Sequence, residues 1–162
     1  GNSAIVEPFV TRRRFVMNIR KILVPTDFSE CAQHAVDEAV ELAQKFDAEL
    51  LLAHVMEAPI YPAVTFAGAA NVPAVHEEIA QACEEQLKKQ VAGMPEGVKA
   101  RSVRRDGRPF QEIAELAKEE DVDLVVIATH GYTGLTHFML GSTAERVVRA
   151  APCPVLTVRG KD

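Results

Sequence analysis

The chain has 162 residues, 48% hydrophobic and 25% charged, and 18 Lys and Arg against 23 Asp and Glu leave a formal net charge of −5. These are globular values that exclude a disordered, collagenous or coiled-coil chain, and the acidic balance argues against a nucleic-acid partner. Cys31, Cys83 and Cys153 form no C-x-x-C pattern, which predicts three small buried hydrophobes rather than a zinc site or disulfide framework, and the absence of Trp removes a stacking platform for single strands.

Residues 1–17 differ from the rest. They hold Pro8 and the run Arg12-Arg13-Arg14, with no long apolar segment after it, so they do not read as a secretory signal. They are expected to be a disordered extension or tag, with the arginines a solvated tail, ahead of one domain at 18–160. Ile22-Leu23-Val24 is a short apolar run closed by Pro25. Ser29 is the expected N-cap of a helix with apolar positions Ala32, Ala35, Val36, Ala39, Leu42, Ala43 and Phe46. Leu50-Leu51-Leu52-Ala53 is a second buried strand. A second helix carries Val75, Ile79, Cys83, Leu87 and Val91 on one stripe and stops at Gly93 and Pro95.

The strand from 98 to 105 is rich in basic residues, as an edge strand often is. Pro109 opens a third helix with inner face Phe110, Ile113, Leu116 and Ala117. Leu124-Val125-Val126-Ile127-Ala128 is the most apolar strand and hence central. A helix from Ser142 buries Ala144, Val147, Val148 and Ala151, and Val155-Leu156-Thr157-Val158 is the last strand. The order βαβαβαβαβ predicts an α/β domain: a five-stranded parallel, doubly wound, Rossmann-like sheet with helices on both faces.

Residues 58–75 and 124–144 lack Asp, Glu, Lys and Arg. Either is long enough to cross a bilayer on charge alone. The prolines of the first, and the glycines and histidines of the second, argue against a membrane span. The first is long for a connection and reads equally as a flap over a ligand, an oligomer contact or a surface excursion.

In such sheets ligands bind beyond the strand ends where the order reverses. That point lies between the first strand, ending Pro25-Thr26-Asp27, and the fourth, ending Ala128-Thr129-His130. Gly131, Gly134 and Gly141 allow backbone N–H groups to approach a ligand, and the following helix start adds free N–H groups and a positive dipole end, a phosphate site. The same glycines also suit an ordinary turn. Asp27 reads equally as an acceptor for a ligand hydroxyl or metal and as a helix cap. His130 is a possible base or a structural hydrogen-bonding group. Ser142 opens a capping box, Ser142-Thr143-Ala144-Glu145, and its hydroxyl can also meet a phosphate. No Lys lies within 124–144, so the loop is not a P-loop, and no acid there serves as a base.

The segment Ala128-Thr129-His130-Gly131, nine residues, Gly141-Ser142 resembles the nucleotide loop of the universal stress protein family, Gly, two residues, Gly, nine residues, Gly, then Ser or Thr. The opening Ile22-Leu23-Val24-Pro25-Thr26-Asp27-Phe28-Ser29 and the closing Ala151-Pro152-Cys153-Pro154-Val155-Leu156 are similar to that family too. The resemblance, over about residues 19 to 159, implies a cytoplasmic stress-response protein that binds ATP, with or without Mg²⁺, or alternatively AMP or cyclic AMP. It implies that Pro25, Thr26, Asp27 and Val55 hold the adenine. The loop residues Ala128, Thr129, His130, Gly131, Gly134, Gly141, Ser142 and Thr143 would hold ribose and phosphates. Ala128 stands where the pattern has its first Gly, and a methyl there crowds the ribose unless its φ is negative.

The apolar last strand, Val155 to Val158, is expected at a sheet edge and to pair in a homodimer. The leading expectation is a regulatory nucleotide binder with an unknown protein client and slow or no ATP hydrolysis. The alternatives are an enzyme acting at the α-phosphate of ATP and a nucleotide-independent dimeric module.

Overall fold

The computed structural model describes residues 17–57, 72–130 and 140–160. Residues 1–16 of the expected N-terminal extension, most of the charge-free stretch after β2, and Gly131 and Gly134 lie outside them. The elements are β1 (Lys21–Pro25), α1 (Glu30–Phe46), β2 (Glu49–Met56), α2 (Val72–Ala92), β3 (Ala100–Asp106), α3 (Pro109–Glu119), β4 (Leu124–Ala128), α4 (Ser142–Ala150) and β5 (Val155–Val158). The sheet order is β3-β2-β1-β4-β5, and every pairing is parallel.

A parallel strand covered on both faces must be apolar on both sides, and β4 is buried at every position. Ile22, Val24, Leu50, Leu52 and Val126 face a core under α1 and α2. Leu23, Leu51, Val125 and Ile127 face a second core under α3 and α4. This is the doubly wound arrangement. β1 and β4 are tied at their starts, where the Asp123 carboxylate accepts from the backbone N–H of Arg20 at 2.8 Å and of Lys21 at 3.0 Å. As expected, β3 and β5 are the edges.

The start of α1 also follows the sequence. Ser29 is its N-cap, and Oγ accepts from Ala32 N at 3.1 Å. Three helices depart from their expected faces: in α1, Phe46 at the last position is 40% exposed. In α2, Ala80 and Leu87 are buried, while Val75 and Ile79 are 51% and 50% exposed. His76 lies 3.7 Å from Asp106, the last residue of β3, so the first turns of α2 stand level with the strand ends, where the sheet offers no more core. In α4, Val147 is buried but its neighbour Val148 is 47% exposed, because a helix this short turns only one narrow stripe inward. Among the described residues, no helix is long and apolar enough to cross a membrane.

At the opposite end of the sheet, Arg101 of β3 bonds Glu49 of β2 and Glu120 at the end of α3, and Lys21 of β1 also reaches Glu120. The bonds from Arg101 and then Lys21 hold the Glu120 carboxyl below its usual range. A lowered folded-state value means stabilisation that is present above the ordinary carboxylate pKa and lost as pH falls through the lowered one. Glu120→Gln is therefore expected to flatten the loss of melting temperature on acidification from about pH 5 to about pH 3. At neutral pH it should cost no more than about 1 kcal/mol, because the network is partly solvated. Thermal melts across that pH series check this, and identical slopes would refute it.

Candidate functional site

The cavity lies beyond the carboxyl ends of β1, β2 and β4 and has a volume of about 560 Å³. β1 and α1 diverge from β4 and α4 at this point, so three strand ends and the start of α4 line one hollow. From β1 and its extension come Pro25, Thr26 and Asp27, and from β2 come His54, Val55, Met56 and Glu57. Ala128, Thr129 and His130 follow β4, and Gly141, Ser142 and Thr143 open α4. Ten of the twelve residues singled out from the sequence thus line one cavity. The other two, Gly131 and Gly134, lie outside the described residues.

The turn after β1 is held by its own side chains. Thr26 Oγ1 accepts from Phe28 N at 3.0 Å, and Asp27 Oδ1 accepts from Ser29 N at 3.0 Å. Phe28 sits at φ 64°, left-handed for a bulky residue, and stacks at 4.6 Å on the ring of His54. His54 Nδ1 lies 2.8 Å from the Thr26 carbonyl oxygen. Asp27 therefore helps shape the entry to α1 and lines the cavity at once. The two readings of Asp27 are compatible.

The start of α4 differs from the capping-box expectation. Gly141 is the N-cap, Ser142 is the first helical residue, and among the described residues no side chain caps the helix. Gly141 N donates to the Thr129 carbonyl at 2.7 Å. A Cβ on Gly141 would stand 2.8 Å from that same oxygen. The φ of −59° is open to any residue, so glycine is needed here for close approach. The contact presses the helix start against the end of β4. Ser142 and Thr143, both exposed, stand at the cavity wall with the N–H groups that a first helical turn leaves without intrahelical partners.

His130 Nδ1 is 2.9 Å from Thr129 Oγ1. Its Nε2 is buried, with no hydrogen-bond partner among the described residues. Ala128 is buried in β4 and is not among the residues of positive φ, so the methyl in place of a glycine brings no backbone strain. Sequence reasoning missed His54, Met56, Glu57, Ile79, Cys83, Pro109 and Ile113 on the cavity wall. His54 and Met56 were legible as strand residues near a carboxyl end. The helical period places Ile79, Cys83 and Ile113 on core faces and carries no sign of a cavity.

These features fit an elongated ligand with an anionic end. A helix start with uncapped N–H groups suits the anion. The buried Nε2 suits a polar group beside it. The apolar residues Val55, Met56, Ile79 and Ile113 suit an uncharged ring.

The sequence profile of the universal stress protein family matches residues 18–159. Universal stress protein MJ0531 of Methanocaldococcus jannaschii is 38% identical over 142 residues, 86% of this chain and 82% of that protein. The structure of universal stress protein UspA from Lactobacillus plantarum superposes with a TM-score of 0.72 at 30% identity, over 87% of this chain and 98% of that one. A universal stress protein in complex with cAMP shares the fold, with a TM-score of 0.57 at 24% identity over 88% of this chain and 98% of that one. The profile spans the whole sheet and the start of α4, and the identity to MJ0531 extends over most of both chains: the chain belongs to the universal stress protein family.

Proposed function

We propose that this protein binds an adenine nucleotide, ATP or alternatively AMP or cyclic AMP, and acts in the cytoplasm as a dimeric regulator of the stress response with slow or no ATP hydrolysis. The observation that carries the reading is the contact of Gly141 with the Thr129 carbonyl, which seats the uncapped start of α4 in the cavity wall. The N–H groups there and the hydroxyls of Ser142 and Thr143 take the phosphates. Pro25, Thr26, Asp27 and Val55 take the adenine, and His130 Nε2 donates to ribose or phosphate. Gly131 and Gly134 would join from the same loop.

Bound nucleotide supplies charge for the helix end to neutralise. The chain supplies placement and has few groups for turnover. Segment 124–144 has no lysine or carboxylate, and Asp27 already accepts from Ser29 N. The dimer reading rests on β5, an edge strand with Leu156 40% exposed.

Isothermal titration with ATP, ADP, AMP and cyclic AMP, with and without Mg²⁺, is expected to give saturable binding of at least one. At about 100 times its Kd that ligand should stabilise the fold by about 2.7 kcal/mol. Failure of all four would end the nucleotide reading. Gly141→Ala should displace α4 and weaken the same ligand about tenfold, with a stability loss of about 1–3 kcal/mol. Unchanged affinity would remove the helix start from the site. Sedimentation at micromolar concentration should show a dimer that Leu156→Lys converts to monomer, and a monomeric wild type would refute the β5 contact.

A further inference from the structure

The first half of α2 carries apolar side chains that the core does not use. Ile79 is 50% exposed, while Ala80 and Leu87, which seat the helix on the sheet, are 2% and 1% exposed. Ile79 and Cys83 stand one turn apart on the same face of the helix. Both line the cavity, as does Met56 from β2. Single apolar residues on a surface need no explanation. Here two neighbours border a concave site, on a helix expected to turn that stripe into the core.

Polar ties hold this part of α2. Arg104 of β3 donates to Glu84 at 3.1 Å and to Asp106 at 2.6 Å, and Asp106 lies 3.7 Å from His76 Nε2. These bonds join α2 to the end of the edge strand on the far side of the cavity from α4. The cavity is therefore divided along its length. Thr129, His130, Ser142 and Thr143 supply polar groups at the β4–α4 end, and Val55, Met56, Ile79 and Cys83 supply a mainly apolar wall at the β2–α2 end, beside the exposed Glu57. A nucleotide divides the same way, into an anionic phosphate end and a flat base with apolar faces.

We infer that Ile79 and Cys83 of α2, with Met56, form the wall on which the base of the bound nucleotide packs, so that α2 seats the base while α4 holds the phosphates. This rests on the nucleotide reading above. A wall of this kind is buried by ligand and contributes the same free energy whatever the number of phosphates.

Two measurements on the full chain test it. Alkylation of the thiols, mapped by mass spectrometry, should slow about tenfold at Cys83 with ATP at about ten times its Kd. Cys153, at the start of β5 and outside the cavity lining, should change less. Ile79→Ala, a change outside the packed core, should weaken ATP and AMP by the same factor, about tenfold. Val75→Ala, on the same helix but not on the cavity wall, should leave both affinities unchanged. If ATP binds the wild type but Cys83 is not selectively shielded, or Ile79→Ala does not weaken both nucleotides alike, the α2 wall is overturned and the nucleotide reading stands. If no nucleotide binds the wild type, both are overturned.

Discussion

Parallel pairing of β1 with β4 sets the position of everything else in the molecule. The register Ile22 to Leu124 and Leu23 to Val125 brings two chain-distant apolar strands together at the centre of the sheet. The chain leaves β1 toward one face and β4 toward the other, so no helix among the described residues covers the gap at their carboxyl ends. Asp123 reinforces the pairing by accepting from two backbone N–H groups at the start of β1. A hollow at that point is a consequence of the winding, whatever residues line it.

What fills the hollow with chemistry is local. Gly141 permits a backbone approach that any side chain would block, and the approach places the start of α4 against the end of β4. The turn after β1 is built by Thr26 and Asp27 bonding their own backbone, at the cost of a left-handed Phe28 that stacks on His54. Structural and cavity-lining roles therefore coincide in the same residues. Asp27 holds the backbone of the N-cap Ser29 and lines the cavity, and Gly141 packs and exposes a helix end.

The edge strand β3 shows how charge can position an apolar surface. Its basic residues are engaged with acids: Arg101 with Glu49 and Glu120, Arg104 with Glu84 and Asp106, and Arg105 with Glu119. The arginines run along one strand and tie it to β2, α2 and α3. Both Arg101 and Arg104 are held more firmly charged by these hydrogen bonds, against the opposing effect of burial. Exposed pairs of this kind add little stability. Of these pairs, Arg104 with Glu84 ties β3 to α2, whose upper turns have little core beneath them.

Much of the architecture was legible because a parallel sheet leaves short, continuous apolar runs, and because Ser29, Pro109 and Gly93 punctuate the helices by known local rules. Strand order, edge positions and the location of the hollow follow from those runs. Nine cavity residues were legible by their place at strand ends or at a helix start, and Val55 only through the family resemblance. Three things were decided only by tertiary structure. Ile79 and Cys83 share the helical period of Leu87, and periodicity cannot tell a face packed on a sheet from one bordering a cavity just past the sheet's end. Ser142 has the composition of an N-cap, yet the close approach of Gly141 to Thr129 takes that position for the glycine. The burial of His130 Nε2 is a property of the folded chain that the sequence pattern does not carry. The sequence determined which segments are apolar and where they turn, since those are properties of neighbours along the chain. Only the folded chain decided which of those apolar faces meet protein and which meet a cavity, since that depends on where each strand ends relative to the helix packed beside it.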